Sequence, residues 1–382
     1  MIVASVLVAR AVGPSEFGVY SAVMAMGTVI VAGSGGGLGL LGLRRVAQND
    51  FDDAFLRRIG LANLVITLCA AVVVLVLAQL TLGIRRSFLL GGLCGLAFVA
   101  FSATSLASGF HSGARNFGRA ALGEGLSAAS VIVLTIIALA VGLGVGGAIL
   151  AFGLGTASGA VFLWWRLPKR AEAIAGQSVS PFRIAQVVPF LALGLAAGGY
   201  LRLDTMVVAA IAESSVVGYY AAAYRFLGVF NLLGSAFGTV FFSRLSQLSD
   251  NRAEWQRVRR QGTLLFILAV LPLLAVLFLS APVVIRALYG QRFGAAVAPA
   301  RWLLLSVIPY CLYWPSAHAL NSSGYERRWT VILVGGCLID TALVVLLVPY
   351  WGASGAAMAW LAAELGVLVA TILAVRASAS RA

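Results

Sequence analysis

Charged residues are scarce in this sequence: Asp, Glu, Lys and Arg make up 10% of its 382 residues, and lysine occurs once, as Lys169. A soluble domain carries about 25% charged residues, which cover its surface against water. With 61% hydrophobic residues, this chain has too few polar side chains for such a surface. The composition therefore excludes a water-soluble enzyme or binding module.

Cysteine is scarcer still, and the four cysteines, Cys69, Cys94, Cys311 and Cys337, all lie in apolar stretches at unrelated spacings. No pair has the spacing of a zinc or redox motif, so we expect these side chains to be buried hydrophobic groups. The sequence therefore predicts neither a metal site nor a cofactor.

Apolar runs are abundant, and each has roughly the 20 residues that a helix needs to cross a bilayer core of about 30 Å. The ten-residue alternation of membrane β-barrels is absent. We predict an all-α polytopic membrane protein with about twelve transmembrane helices, near residues 1–10, 17–42, 59–80, 88–110, 119–141, 144–166, 185–211, 215–241, 262–285, 297–320, 329–349 and 353–376.

The first predicted helix, MIVASVLVAR, has only about half of the length that a crossing needs. It also lacks the basic region and the cleavage site of a signal peptide. We therefore expect that the chain begins inside its true first helix, which is then truncated, or that its start site is misassigned.

The net charge of +14 is distributed unevenly between the connections, which argues against a nucleic-acid partner. With twelve helices, the even-numbered connections and the C-terminus carry 19 Lys and Arg residues, whereas the odd-numbered connections carry 6. By the positive-inside rule, the even connections and the C-terminus lie in the cytoplasm. The outward connections are all short, so an external catalytic domain has no room.

Three parts of the sequence occur twice in the same order. EFGVYSA at 16–22 matches VVGYYAA at 216–222, SGAR at 112–115 matches SGYER at 323–327, and GVGGAILA at 144–151 matches GASGAAMA at 352–359. Matches at similar offsets indicate duplication of a six-helix unit. Because six is even, both copies cross the membrane in the same direction, an arrangement found in two-lobed transporters.

The repeat sets the predicted domain organisation: an N-terminal lobe at 1–166, a cytoplasmic linker at 167–184 and a C-terminal lobe at 185–382. The polar stretch WRLPKRAEAIAGQSVSPFR supplies the linker. Within the lobes, we expect helices to pack closely at small-xxx-small positions such as Gly155 and Gly159.

Ionisable residues inside the predicted helices are few, and such residues usually face a cavity or a partner because burying them alone is costly. Arg202 and Asp204 lie in the seventh helix, and Arg225 lies in the eighth. A pair between Asp204 and Arg225 is the structural interpretation, and it would leave Arg202 to face the lumen. Three more acidic residues are candidates for a coupling ion or for polar contacts between helices: Glu124, Asp340 and Glu364.

Three segments, ARAVGPSEFGVYSAV, RLDTMVVAAIAESSVVGYYAAAYRF and VPYWGASGAAMAW, carry a family resemblance. They resemble the polysaccharide-exporter branch of the multidrug/oligosaccharidyl-lipid/polysaccharide (MOP) flippase superfamily, the group of Wzx-type O-antigen flippases. The resemblance extends along the whole chain. It implies twelve helices in two pseudo-symmetric six-helix lobes around a cationic cavity, in the bacterial cytoplasmic (inner) membrane.

The implied cargo is a lipid-linked oligosaccharide on undecaprenyl pyrophosphate, translocated by alternating access for cell-surface polysaccharide such as the O-antigen of lipopolysaccharide. A pyrophosphate needs basic partners, and the forked donors of arginine suit phosphate. We therefore expect cargo contacts from the intramembrane charges, from arginines near the gate of the first lobe and from a tyrosine: Arg202, Asp204, Arg225, Arg10, Arg45 and Tyr220.

The resemblance also implies partners other than the cargo. Membrane lipids are among them, and a polysaccharide polymerase and a chain-length regulator are candidates.

Two other functions remain open. A drug/cation antiporter of the same superfamily needs a coupling carboxylate, which Glu124 or Asp340 could supply, but Arg202 and Arg225 would repel its cationic substrates. A membrane polysaccharide polymerase or ligase is an enzyme that generally has a large outward loop with catalytic residues. The short outward connections and the internal repeat favour a transporter over such an enzyme.

Overall fold

A computed structural model describes residues 2–82, 87–168, 184–247, 252–322 and 326–379 of the chain. Within these ranges the backbone is helical almost throughout, and the same ranges contain no β-strand. The predicted all-α fold is confirmed. The predicted linker at 167–184 lies almost entirely outside the described residues.

The α-helices are numbered α1 to α13 in chain order. A six-residue π-helix, Ala32–Gly37, joins α2 to α3, and a 3₁₀-helix, Gln291–Ala296, precedes α11. The bounds of α1 to α13 are Ile2–Val12, Pro14–Val31, Leu38–Ala47, Asp53–Leu82, Ser87–Gly113, Phe117–Ala140, Gly144–Trp165, Ile184–Ile211, Ser214–Gln247, Arg252–Tyr289, Val297–Leu305, Val307–Ser322 and Glu326–Ala379.

Nine helical segments of the described ranges are long and apolar enough to cross a membrane, and two pieces of α8 that meet at 50°, Gln186–Ala196 and Gly198–Ile211, form a tenth. One of the nine, Arg328–Val375, has 48 residues, more than twice the length of one crossing. It is divided at Gly352, where the backbone leaves the helical conformation. With this segment counted as two crossings and the short α1 added, the described residues contain the twelve helices that the sequence predicts.

Contacts divide the chain into two compact units, Met1–Met206 and Val207–Ala382. The lobe boundaries at 166 and 185 stay a prediction. The first unit has a core cluster in which side chains of α3, α4, α5 and α8 meet, among them Leu41, Phe55, Leu106 and Val187. The second unit has a cluster of α12 and α13 side chains, among them Tyr313, Ala317 and Val367.

Two of the three repeated segments have the same local structure in both units, and residues 323–325 of the remaining one, SGYER, lie outside the described residues. Gly144 and Gly352, which begin the last repeated segment, both have positive φ, 56° and 53°. Glycine adopts this left-handed conformation without steric cost, so both copies use it to begin a helix. Tyr20 and Tyr220 of the first segment are both buried, with exposed fractions of 4% and 0%. The matched positions therefore have matched structural roles, as duplication predicts.

The backbones of α6 and α7 come into close contact at glycines. A Cβ built on Gly155 would lie 2.6 Å from Val131 N, and one built on Gly159 would lie 2.5 Å from Gly123 O. A side chain does not fit at either position, because Cβ atoms essentially never approach other heavy atoms within 3.0 Å. The predicted role of Gly155 and Gly159 in close helix packing is confirmed.

We expect Gly159→Leu to destabilise the protein, because the added side chain must push α6 and α7 apart, and overpacking costs about 1–3 kcal/mol. Gly125→Leu in α6 is the matched control, since a Cβ there meets nothing within 4 Å. The measurement is the thermal unfolding midpoint of both variants purified in detergent. A Gly159→Leu protein as stable as Gly125→Leu would contradict the close approach of the two helices.

Candidate functional site

The first unit contains a tight crossing between the π-helix and α8, with glycines on both sides. Gly33 and Gly37 lie in the π-helix, and Gly194 and Gly198 lie in α8 at the same four-residue spacing. A Cβ on Gly194 would lie 2.9 Å from the backbone carbon Ala32 C, so a larger residue does not fit there. Small residues at this spacing let helix backbones approach inside a bilayer. The crossing therefore holds α8 against the π-helix.

Arg45, a predicted cargo contact, is buried in the last turn of α3, with 5% of its surface exposed. Its guanidinium forms an ion pair with Asp50, and its Nη2 donates to Gln186 Oε1 at 2.8 Å. The guanidinium carbon also lies 5.4 Å from the centre of the Phe55 ring. These contacts tie the α3–α4 connection to the first turn of α8. They give Arg45 a structural role, and its contact with cargo stays a prediction.

The other predicted charges of the first unit lie in two different helices. Arg10 is exposed in the last turn of α1, and Arg202 is half-buried in α8. Asp204 is buried, and its Oδ1 accepts from Thr205 N at 2.5 Å and from Thr205 Oγ1 at 3.1 Å. The neighbouring threonine thus stabilises a carboxylate inside an apolar helix. The pair of Asp204 with Arg225 stays a prediction.

In the second unit, Arg225 is half-buried in α9, within a candidate membrane span. It lies close enough to Tyr289, at the end of α10, for an electrostatic interaction between guanidinium and phenol. The centre of the Tyr289 ring lies 5.4 Å from the centre of the Phe293 ring. Tyr219 packs edge-on against Phe293, with the two ring centres 6.2 Å apart. Arg225 therefore lies in the membrane-spanning part of this unit and interacts electrostatically with Tyr289, one member of this group of aromatic rings.

Tyr220 begins a row of aromatic rings from α9 to α13. Its ring centre lies 6.1 Å from that of Tyr224, which meets Trp360 edge-on at 5.9 Å. Tyr220 is fully buried and Tyr224 is 5% exposed. The row fixes α9 against the second crossing of α13, next to the turn that carries Arg225. Cargo contact by Tyr220 stays a prediction.

Glu124, a predicted coupling residue, lies on α6 inside a candidate membrane span and is exposed on the surface of the protein. Its Oε1 accepts from Ser108 Oγ of α5 at 2.6 Å. This bond stabilises the carboxylate with a neutral donor and joins two helices. This arrangement is compatible with both roles that the sequence leaves open for Glu124, an ion site and a polar contact between helices.

Asp340 and Glu364 lie on the two crossings of α13, with exposed fractions of 4% and 3%. Each is twelve residues from Gly352, where the chain turns back, so both lie at the same depth, about 18 Å along the helix. A Cβ on Gly366 would lie 3.6 Å from Ile339 Cδ1, so the two crossings touch at this depth. Glu364 also interacts electrostatically with Tyr310 of α12.

In the described part of the chain, no group of three or more His, Cys, Asp or Glu side chains is arranged to hold a metal ion.

Sequence reasoning found the charged residues but missed their partners. Gln186 is 141 residues from Arg45, and Ser108 reaches Glu124 from another helix. Neither partner belongs to a motif. The signal that could have found Gln186 is its polarity in the first turn of α8, because the residues that follow it up to Gly199 are all apolar or glycine.

Comparison with known sequences places the chain among polysaccharide biosynthesis proteins. The profile of the family described as "Polysaccharide biosynthesis protein" matches residues 7–298, which is most of the chain. The chain is also 32% identical over 189 residues to the probable flippase AglR of Haloferax volcanii. That alignment covers 47% of this chain and 38% of the relative's length, so the chain matches less than half of that protein.

Two solved structures show that the fold is shared with transporters. The lipid II flippase MurJ, in its inward closed conformation, superposes with a TM-score of 0.77 at 14% identity, over 98% of this chain and 84% of MurJ. A multidrug resistance MATE family transporter of the MOP superfamily, in its inward-facing conformation, superposes with a TM-score of 0.71 at 17% identity, over 97% of this chain and 91% of that one. At these identities the likeness shows the fold alone.

Arg45 and Arg44 are neighbours with different surroundings, which permits a matched test. Arg45→Ala removes the partner of Asp50 and Gln186, and losing hydrogen bonds to a charged group costs about 1.5–3 kcal/mol. Arg44 is exposed, so Arg44→Ala should change the stability by less than about 0.5 kcal/mol. Thermal unfolding of both purified variants checks this expectation. Equal midpoints would contradict the structural role of Arg45.

Proposed function

The chain belongs to the polysaccharide biosynthesis protein family, and from this premise we propose that it is a flippase for undecaprenyl-pyrophosphate-linked oligosaccharides. The cargo crosses the cytoplasmic membrane by alternating access and is then used to build cell-surface polysaccharide. The fold shared with MurJ and a MATE transporter supports a transport function. The similarity to the probable flippase AglR supports movement of a lipid-linked substrate.

The observation that carries the proposal is the position of Arg225. A half-buried arginine inside an apolar span is expensive to maintain, and such residues mark substrate pathways in membrane proteins. Its guanidinium interacts electrostatically with the phenol of Tyr289. Arginine binds phosphate through two parallel donors, so the group suits the pyrophosphate of the cargo.

The remaining predicted residues have supporting roles in this proposal. Arg202 offers a second cationic contact on α8, and Arg10 is exposed at the end of α1, where an anionic headgroup can be attracted. Tyr219, which lies on the same helix as Arg225, suits contact with sugar hydroxyl groups. Asp340 and Glu364, buried at one depth of the second unit, are the proposed sites of a coupling proton or cation.

The setting of the protein follows from the same proposal. We place the chain in the bacterial inner membrane with its C-terminus in the cytoplasm, on the basis of the uneven distribution of Lys and Arg. A polysaccharide polymerase that uses the delivered units, and a chain-length regulator, are its proposed partners. A drug/cation antiporter is the alternative, and it is disfavoured because Arg202 and Arg225 oppose a cationic substrate.

The central prediction concerns Arg225. Arg225→Ala should lower polysaccharide export at least about tenfold, which corresponds to a loss of roughly 1.4 kcal/mol of interaction with the cargo. Arg225→Lys should give intermediate export, because it keeps the charge and loses the forked donors. The measurement is cell-surface polysaccharide in a null strain that carries each variant, normalised to the amount of protein in the membrane.

Arg292→Ala is the matched control, because Arg292 is an exposed arginine of the same unit. Its export should equal that of the wild type. Normal export by Arg225→Ala would return Arg225 to a purely structural role and would contradict the proposal.

The membrane potential gives a second prediction. An inside-negative potential favours outward movement of an anion by about 2.3 kcal/mol per charge per 100 mV. An ionophore that dissipates the potential in sealed vesicles should therefore slow translocation of the lipid-linked oligosaccharide. An unchanged rate would show that the potential does not drive export.

A further inference from the structure

Basic residues are concentrated at one end of α10 in the second unit. Of the six Lys and Arg residues in the odd-numbered connections, three lie between residues 286 and 301: Arg286, Arg292 and Arg301. In the orientation proposed above, this end of α10 faces outward, where positive charge is normally scarce. The rule that sets the orientation therefore does not account for these arginines, and we expect another role for them.

Arg286 and Arg301 are both exposed, and both lie in candidate membrane spans. Arg286 lies in the last turn of α10, and Arg301 is the fifth residue of α11. In the described ranges, no carboxylate lies within ion-pair distance of either guanidinium. The sequence explains this, since it contains no Asp or Glu from residue 255 to residue 325. Because a charge in an apolar span is costly, an anion in the surrounding membrane would stabilise both arginines.

Arg301 packs on an aromatic ring of the neighbouring helix. Its guanidinium carbon lies 5.4 Å from the centre of the Phe278 ring of α10. Phe278 precedes Tyr289, the last residue of α10, by eleven residues, or about 16 Å along the helix. The ring attracts the positive charge but offers no oxygen to the N–H donors of the guanidinium. Arg301 is therefore held below the end of α10 with donors that suit an oxygen-rich anion.

An exposed apolar stripe of α10 leads up to Arg286. Val276, Leu279 and Val283 are 61%, 74% and 69% exposed. They precede Arg286 at spacings of three and four residues, which put all four side chains on one face of the helix. We call these four residues the arginine-ended stripe. It presents apolar surface along the helix and positive charge at one end, which complements an amphiphile with an anionic head.

The chemistry of this surface selects one class of occupant. A lipid acyl chain covers the apolar part, and the forked donors of arginine suit the phosphate of a lipid headgroup. A headgroup with a net negative charge fits better than a zwitterionic one, because its second group does not bring a cation towards Arg286. A second copy of the chain is disfavoured, since a two-fold interface would place identical arginines opposite each other.

We infer that the arginine-ended stripe and Arg301 form a binding site for an anionic phospholipid such as phosphatidylglycerol. The phosphate pairs with Arg301, Arg286 adds positive charge nearer the end of the helix, and an acyl chain lies along the stripe. The binding does not depend on transport. Its assignment to the outer leaflet rests on the orientation that belongs to the proposed function.

The test measures thermal unfolding of the purified full chain in detergent, with phosphatidylglycerol or phosphatidylcholine added at equal concentrations. A ligand that binds only the folded state stabilises it by RT ln(1 + [L]/Kd), so phosphatidylglycerol should raise the midpoint by several degrees and phosphatidylcholine by less. Each variant is compared with its own midpoint without lipid, so a change in its basal stability does not affect the result.

The variants locate the response on α10 and α11. Arg286→Gln combined with Arg301→Gln should remove most of the rise with phosphatidylglycerol, whereas Arg301→Lys should give an intermediate rise because it keeps the charge and loses the forked donors. Arg260→Gln is the matched control and should keep the full rise, since Arg260 is an exposed arginine near the opposite end of α10.

Three results would overturn the inference: an equal rise with both phospholipids, a full rise in the double variant, or a rise with undecaprenyl pyrophosphate and none with phosphatidylglycerol. The last result would assign the surface to the cargo. The measurement involves no transport, and export by the Arg225 variants is measured separately. Failure of the lipid site is therefore distinguishable from failure of the flippase proposal.

Discussion

A bilayer supplies no hydrogen-bond partners, so each polar group that this chain carries into a membrane span must be satisfied inside the protein. The C-terminal end of α7 shows the consequence: His111 Nε2 lies 3.0 Å from Leu163 O, and Arg119 Nη2 donates to Phe162 O at 3.2 Å. The two side chains belong to α5 and α6. They lie within hydrogen-bond distance of carbonyl groups in the last turn of α7, which have no N–H partner within their own helix. Satisfying these groups determines which helices are neighbours, because apolar side chains gain little by leaving lipid.

The glycines follow from the same constraint. Polar groups on different helices can meet only where the backbones approach closely, and glycine permits that approach. Gly35 shows the connection, since a Cβ there would lie 2.5 Å from Ser102 O, beside the bond between Ser34 and Ser102. The π-helix Ala32–Gly37 thus brings together a glycine crossing and a hydrogen bond between two buried hydroxyl groups. Such interruptions of regular helices often occur at functional sites.

Much of the fold could be predicted from the sequence because the bilayer fixes the length of each crossing. The repeat also located the start of the second crossing of α13, where Gly352 reproduces the backbone conformation of Gly144. The π-helix could not be predicted, because the glycine-rich segment AGSGGG permits several conformations and contacts with α5 and α8 select one.

The candidate site was predictable only in part. Scarcity of charge identified Arg225, since every charged residue in an apolar span needs an explanation, whereas Arg45 was predicted from the family resemblance as an arginine near the gate of the first lobe. The distinction between them lies in their partners. Arg45 is tied to Asp50 and Gln186 at the end of its helix, whereas Arg225 lies within a membrane span of the second unit and interacts electrostatically with Tyr289. Such contacts between distant residues depend on the packed structure and leave no local signal in the sequence.

The most direct test of the account uses a strain that lacks this protein. Its polyprenyl-linked oligosaccharides are quantified, and their exposure is probed with an external glycosidase or lectin. A flippase predicts that the intermediates accumulate and stay out of reach of the reagent, because they remain on the cytoplasmic side. Accumulated intermediates that the reagent reaches would contradict this account and indicate a polymerase or ligase, and an absence of accumulation would favour the antiporter.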